Sequence, residues 1–362
     1  MKKVCLIITV LCFTVVGVAQ RTAIDAAFDT AVQQGFSGVL LVAKNGKPIA
    51  NRVAGYRHFE TQAPLQLSDV FELASVSKQF TAMAIMMLQE EGRLQYDDSL
   101  SKFIALPYSG VTIRQLLNHT SGLPDYQAVM DAHWDKSKVA GNEDCIRLLR
   151  QYQPSMLFTP GAQYRYSNTG YLLLASVVEK VSGEDFISYL QQRIFTPLKM
   201  QQTAIRTLEA KAATINFAAG HLKDSTGTYI NANKFHSSDY TVWLGNRKGP
   251  GRISSTAADL LRWDKALYKN KLVQHSTLQQ AFTPATLNNG QLSMYGFGWE
   301  IETHPVLGNI VKHNGDNPGY STQIIRCVDK RYTVIVLCNN AHPSFRKLLS
   351  NIMQALAAEE RM

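Results

Sequence analysis

Three short motifs in this 362-residue chain have the residue types and spacing for acyl transfer. Ser-x-x-Lys occurs three times, at Ser75-Lys78, Ser99-Lys102 and Ser344-Lys347, so context must choose among them. A serine attacks a carbonyl only when a base activates its hydroxyl. Helical i,i+3 spacing puts a lysine beside that hydroxyl on one face. Ser75 follows the strand-like run Val70-Phe71-Glu72-Leu73 and opens a segment without Pro or Gly until Gly92. From Phe80 to Leu88 only Thr81 is polar, so this helix must be buried nearly all round. A serine at its start gains free backbone N–H groups and the positive dipole end, both suited to an oxyanion. The bland alternative for Ser75 is a helix N-cap. Ser99 lies in the polar stretch Tyr96-Asp97-Asp98-Ser99 and reads as a turn or cap. Ser344 reads as the cap of the last helix, with Lys347 toward solvent.

No His or Asp is near Ser75 in sequence, so the base is a neutral Lys78 or an ionised tyrosine. Tyr-x-Asn also occurs three times. Tyr166-Ser167-Asn168 follows Pro160-Gly161 and immediately precedes a long apolar helix, Thr169 to Val181, whose start pins both side chains near a cleft. Tyr229-Ile230-Asn231 and Tyr268-Lys269-Asn270 fit surface positions better. His-x-Gly occurs once, at His313-Asn314-Gly315, after a short strand; a glycine there lets a ligand or another backbone come close. Ionising a phenol of pKa about 10 at neutral pH requires a fall of about 3 units, or about 4 kcal/mol. An ammonium about 4 Å away supplies about 4 kcal/mol at an effective dielectric near 20. Neutralising Lys78 demands a similar shift, so the lysine and tyrosine are treated as a coupled pair.

The elements that must position these groups have two textures. Ala23 to Val32 has helical period, Ser37 to Ala43 is a strand, and Asn45-Gly46 turns the chain into a hairpin partner from Pro48 to Ala54. Helical patterns dominate from about 75 to 270. Strands return at Tyr295 to Ile301, Asn309 to Lys312, Ser321 to Cys327 and Tyr332 to Cys338, before a last helix from Ser344 to Ala357. The expected architecture is α/β plus α: an antiparallel sheet built from both termini and flanked by helices, with a mostly helical subdomain inserted. The expected division is 1–19 as a leader, 20–80 with 252–362 as the sheet domain, and 81–251 as the helical subdomain.

Residues 1–19 read as a secretory signal: Lys2 and Lys3, an apolar run from Val4 to Val16, then the small-residue site Gly17-Val18-Ala19. Its removal lowers the net charge from +9 to +7, and the surplus is not gathered into a block that would bind nucleic acid. After it, no apolar run reaches the roughly 18 residues that span a bilayer. Export implies a periplasmic or secreted protein. Cys145, Cys327 and Cys338 remain, an odd and scattered set that is no disulfide framework. Cys327 and Cys338 could pair, but buried thiols suit them better. Neither C-x-x-C nor H-E-x-x-H occurs and the nine histidines are scattered, so neither metal nor cofactor is expected.

In order and spacing, Ser75-Val76-Ser77-Lys78, Tyr166-Ser167-Asn168 and His313-Asn314-Gly315 resemble the penicillin-recognising serine hydrolases. That family includes class C β-lactamases, D-alanyl-D-alanine carboxypeptidases, esterases and D-amino-acid peptidases. The stretches Thr112 to Pro124, Ser255 to Leu260 and His313 to Ser321 are similar too, and the likeness covers nearly the whole chain after the leader. It implies that Ser75 forms an acyl-enzyme, activated by Lys78 and Tyr166. Asn168 would hold the substrate's amide, and His313, Asn314 and Gly315 would form the strand edge beside the substrate. The N–H groups of Ser75 and Asp316 would form the oxyanion hole. His119 reads as structural, and Thr256 with Asp259 as an N-cap pair. Class C β-lactamases carry lysine where this chain has His313, and a histidine of pKa about 6.5 is mostly neutral at pH 7. The favoured substrates are therefore esters, amides or D-amino-acid peptides, small or derived from cell wall. The alternatives are a true β-lactamase, a D,D-carboxypeptidase, or an idle member that binds peptidoglycan or a partner.

Overall fold

In this computed structural model residues 22–361 are described; the expected leader, with Cys5 and Cys12, lies outside them. Helix α1 (residues 22–33) precedes strands β1 (Gly38–Lys44) and β2 (Lys47–Ala54). Asn45 and Gly46 form the turn between them, both in the left-handed region, as a two-residue hairpin requires. Four further strands come from the other end of the chain: β3 (Glu300–His304), β4 (Gly308–Asn317), β5 (Tyr320–Cys327) and β6 (Tyr332–Cys338). They join in one sheet of order β3-β4-β5-β6-β1-β2 with every pairing antiparallel, so the two termini build one sheet as expected.

Alternate side chains of β1 and β6 point to opposite faces, and both faces are covered. Leu40, Val42, Val334 and Val336 pack with Ile24 and Phe28 of α1 and with Phe345, Leu348 and Ile352 of the C-terminal helix (Ser344–Glu359). Val39, Leu41, Ile335 and Leu337 face a larger helical layer. This explains why β1 and β6 read as unbroken apolar runs rather than alternating ones. The layer includes α2 (Lys78–Glu90), α3 (Ile113–Leu117), α4 (Tyr126–His133), α5 (Asn142–Tyr152) and α6 (Asn168–Ser182). In α2 every side chain from Lys78 to Leu88 is buried, as its all-round apolar sequence demanded.

The inserted region is mostly helical as expected and also carries one hairpin, His221–Lys223 paired with Tyr229–Asn231, followed by short 3-10 turns. Several expectations need correction. The expected strand from Tyr295 begins only at Glu300, because Gly296 and Gly298 fold the segment against Ala281 and the backbone of α2. By contrast β4 continues through His313-Asn314-Gly315, so the motif lies within a strand rather than after it. Ser344 is the first helical residue, not the cap; His342 Nδ1 accepts its N–H at 3.2 Å. Thr256 does cap its helix (Ala257–Ala266), but the Asp259 carboxylate turns to Gln202 and Thr203 instead of completing a box. Cys145, Cys327 and Cys338 are buried free thiols. Cys327 pairs with Tyr332 and Cys338 with Ser321, at opposite ends of the β5–β6 ladder, too far apart for a disulfide.

Candidate active site

Ser75 lies in a 3-10 turn (Ala74–Ser77) that runs directly into α2. Three residues per turn eclipse the side chains of i and i+3, which sets Lys78 against Ser75. Lys78 Nζ is 3.1 Å from Ser75 Oγ, 2.8 Å from Asn168 Oδ1 and 2.9 Å from the Pro250 carbonyl. Ser75 is the one residue from Asp69 to Leu88 that is not buried. Ala74, just before it, holds φ +48, a strained value for a residue with a side chain. The three acceptors around Lys78 include no carboxylate. Burial, reinforced by the Arg247 guanidinium, holds the Lys78 ammonium's pKa well below its ordinary value.

Tyr166 and Asn168 flank Ser167, the N-cap of α6, whose hydroxyl accepts the Gly170 N–H at 3.4 Å. The Tyr166 ring centroid is 4.7 Å from Lys78 Nζ. Burial pushes the Tyr166 phenol up from its usual pKa, opposed by a hydrogen bond with Ser75. Although its hydroxyl faces Ser75, Tyr166 is 40% exposed overall, so the cleft reaches solvent along this ring. Both members of the coupled pair are thus driven toward their neutral forms.

Strand β4 closes the other side. Beyond Lys312 it has no β3 partner and is paired only with β5, which leaves His313 to Asn317 an open edge. Gly315 packs under the turn that carries Ser75: a Cβ there would collide with the Leu73 carbonyl and come 3.1 Å from the Ser75 nitrogen. The strand therefore brings the Asp316 backbone next to the Ser75 N–H. The Asn314 and Asp316 side chains are exposed and bonded to each other at 2.7 Å. His313 is fully buried, with Nδ1 2.6 Å from the Asn314 carbonyl and Nε2 2.8 Å from the Tyr295 hydroxyl. A carbonyl only accepts, so Nδ1 carries the proton and Nε2 takes the Tyr295 O–H. Burial, together with the nearby Lys78, lowers the His313 pKa to about 3. The ring is neutral, and both of its nitrogens are engaged within the protein.

Sequence reasoning did not bring three groups to the site: His119, read only as structural, Tyr295 and Pro250. His119 is not in a helix; it follows the end of α3 at φ +62, with its ring 4.3 Å from that of Tyr166. Its Nδ1 accepts the Ser167 N–H at 3.1 Å, and its buried Nε2 has no partner among the described residues. Tyr295 was assigned to a strand, and Pro250 was not singled out. The position of His119 inside the Thr112 to Pro124 block was the one available signal. Ser99 and Ser344 lie elsewhere: Lys102 pairs with Asp98, and Lys347 is exposed. No cluster of His, Cys, Asp or Glu able to hold a metal occurs among the described residues, nor does a helix long and apolar enough to cross a membrane.

Sheet, buried helix and the serine–lysine pair together define a serine hydrolase of the β-lactamase-like class. A sequence profile described as Beta-lactamase matches residues 24–358, and the chain belongs to that family. It is 39% identical over 324 residues to penicillin-binding protein 4* of Bacillus subtilis, covering 88% of this chain and 72% of that one. It is 26% identical to a D-aminopeptidase of Brucella anthropi, over 84% of this chain but only 56% of that longer protein. The octameric penicillin-binding protein homologue of Pyrococcus abyssi superposes with a TM-score of 0.78 at 26% identity, covering 93% of this chain and 76% of the other.

Proposed function

We propose that this protein is an exported hydrolase that cleaves an ester, amide or D-amino-acid peptide bond through an acyl-enzyme on Ser75. The observation that carries this reading is the surroundings of Lys78. A neutral amine has two N–H groups and one lone pair. The Pro250 carbonyl and Asn168 Oδ1 take the two hydrogens, and the lone pair is left for the Ser75 O–H. Lys78 then takes the Ser75 proton as Oγ attacks the substrate carbonyl. The oxyanion forms between the N–H groups of Ser75 and Asp316, at the positive end of α2. Tyr166, a neutral phenol bonded to Ser75, gives its proton to the leaving group and regains one from Lys78. Water then releases the acyl group by the reverse relay. Asn168 and the open β4 edge at His313, Asn314 and Gly315 would hold the substrate backbone.

The neutral, enclosed His313 supplies no cation for a β-lactam carboxylate, which favours esters and D-amino-acid derivatives over β-lactams. The D-aminopeptidase relative supports the same direction. The test is an assay of p-nitrophenyl esters, D-alanyl dipeptides and a chromogenic cephalosporin, with intact-mass detection of an adduct at Ser75. Ester or dipeptide turnover with an adduct absent from Ser75→Ala is expected; efficient cephalosporin turnover at pH 7 would overturn the substrate preference. Export predicts a secreted product that begins at Gln20.

A further inference from the structure

Glu72, three residues before Ser75, and Asn317, one past Asp316, line a cavity of about 340 Å³. Leu208, Phe217 and Tyr320 supply apolar wall, and Lys211 and Arg252 supply charge. The Glu72 carboxylate is already used: it accepts close hydrogen bonds from Lys211 Nζ and Asn317 Nδ2. Although burial opposes it, Lys211, Arg252 and Arg247 hold the Glu72 carboxyl at about 2. The cations are not used up in return. Arg252 is 4% exposed, yet among the described residues Nη2 bonds only the carbonyls of Thr241 and Leu244, at 2.6 and 3.1 Å. Its buried Nε has no partner among the described residues. Among the described residues Lys211, also buried, bonds Glu72 alone. One carboxylate thus faces two cations in the cavity wall, with Arg247 behind them. A buried cation without an anion is costly, and a bound anion would relieve that cost.

The geometry points to this cavity as the pocket for the acyl part of the substrate, and to an acyl chain that is short, apolar along its stem and ended by a carboxylate. This rests on the Ser75 acyl-enzyme reading. Tyr166 protonates the leaving group, so that group lies toward Tyr166 and Asn168. The acyl chain must then run the other way, toward Glu72 and Asn317, which flank Ser75 and Asp316 in sequence and line the cavity.

The experiment compares kcat/KM for p-nitrophenyl glutarate and p-nitrophenyl hexanoate, with intact-mass detection of the acyl-enzyme. The wild type should favour glutarate at least about tenfold, enough to separate a buried charge pair from a surface contact. The preference should shrink at least about tenfold in Lys211→Met and survive in Lys211→Arg, because the interaction depends on charge. The wild-type comparison stands even if Lys211→Met fails to fold. Equal rates, or a preference for hexanoate, would overturn the anionic pocket while the adduct at Ser75 upheld the hydrolase. Absence of any Ser75 adduct with either ester would instead remove the hydrolase reading on which the pocket depends.

Discussion

A lysine enclosed without a carboxylate has a clear consequence for pH. In the proposed mechanism the active form of Lys78 is the unprotonated amine, and its pKa is lowered by burial first and by Arg247 second. Acylation should therefore persist further toward acid than an ordinary lysine would allow, and fall as the medium is acidified through that lowered pKa. At the alkaline end it should persist past the usual tyrosine range, because burial raises Tyr166. A pH profile of kcat/KM for a neutral ester, with a limb lost only above pH 9 on acidification, would contradict this base assignment. His119 makes a second prediction at this scale. Through Nδ1 it pins the Ser167 N–H and hence the Tyr166–Asn168 pair. Asparagine tolerates the left-handed backbone and can offer Oδ1 in place of Nδ1. His119→Asn should keep kcat, whereas His119→Leu leaves the part-buried Ser167 N–H without its acceptor and should lower kcat about 10-fold with KM little changed, from a cost of about 1 kcal/mol. Equal losses in both variants would show that the ring fills space and nothing more.

Among the elements, α2 and β4 bear most on the site, and their contact is made at a glycine. Gly315→Ala should push β4 from the 3-10 turn and displace the proposed oxyanion donors, so that acylation falls far more than the melting temperature. Unchanged acylation would mean that the strand does not set that geometry. The helix Ala257–Ala266 is tied to the sheet by a buried charge pair: Asp264 accepts from Arg326 Nε at 2.6 Å and from Thr333 Oγ1 at 2.7 Å. Asp264→Ala leaves that guanidinium buried and unpaired, at a cost of about 3–5 kcal/mol in urea unfolding. The strands β1 and β6 and helix α2 were legible because their apolar runs had one burial solution each. Tyr295 to Trp299 was not, since its composition suits a strand and only the approach of α2 and Ala281 turns the two glycines into bends.

For the molecule as a whole, buried neutral histidine and buried ionised carboxylate act on acid stability in the same direction. His313 holds a pKa of about 3 when folded against 6.5 unfolded, so the unfolded chain binds that proton first. Stability from this group is complete above pH 6.5 and drains as pH falls toward 3. Glu72, at about 2 against 4.5, adds a loss below pH 4.5. The urea midpoint should drop steadily from pH 7 to 4, and His313→Gln should reduce the slope above pH 4.5, to which His119 and His221 also contribute. A midpoint that stayed level over this range in the wild type would count against the neutral buried ring.

The sequence alone determined the two-ended antiparallel sheet, the buried helix and the three motifs, because apolar periodicity and short-range spacing are local properties. Only the tertiary structure decided that His119 touches Tyr166, that Tyr295 occupies His313, that Pro250 meets Lys78, and that the charge beside Ser75 is unbalanced. Those contacts join residues far apart in the chain. Their chemistry depends on burial and neighbouring charge, which no spacing rule encodes.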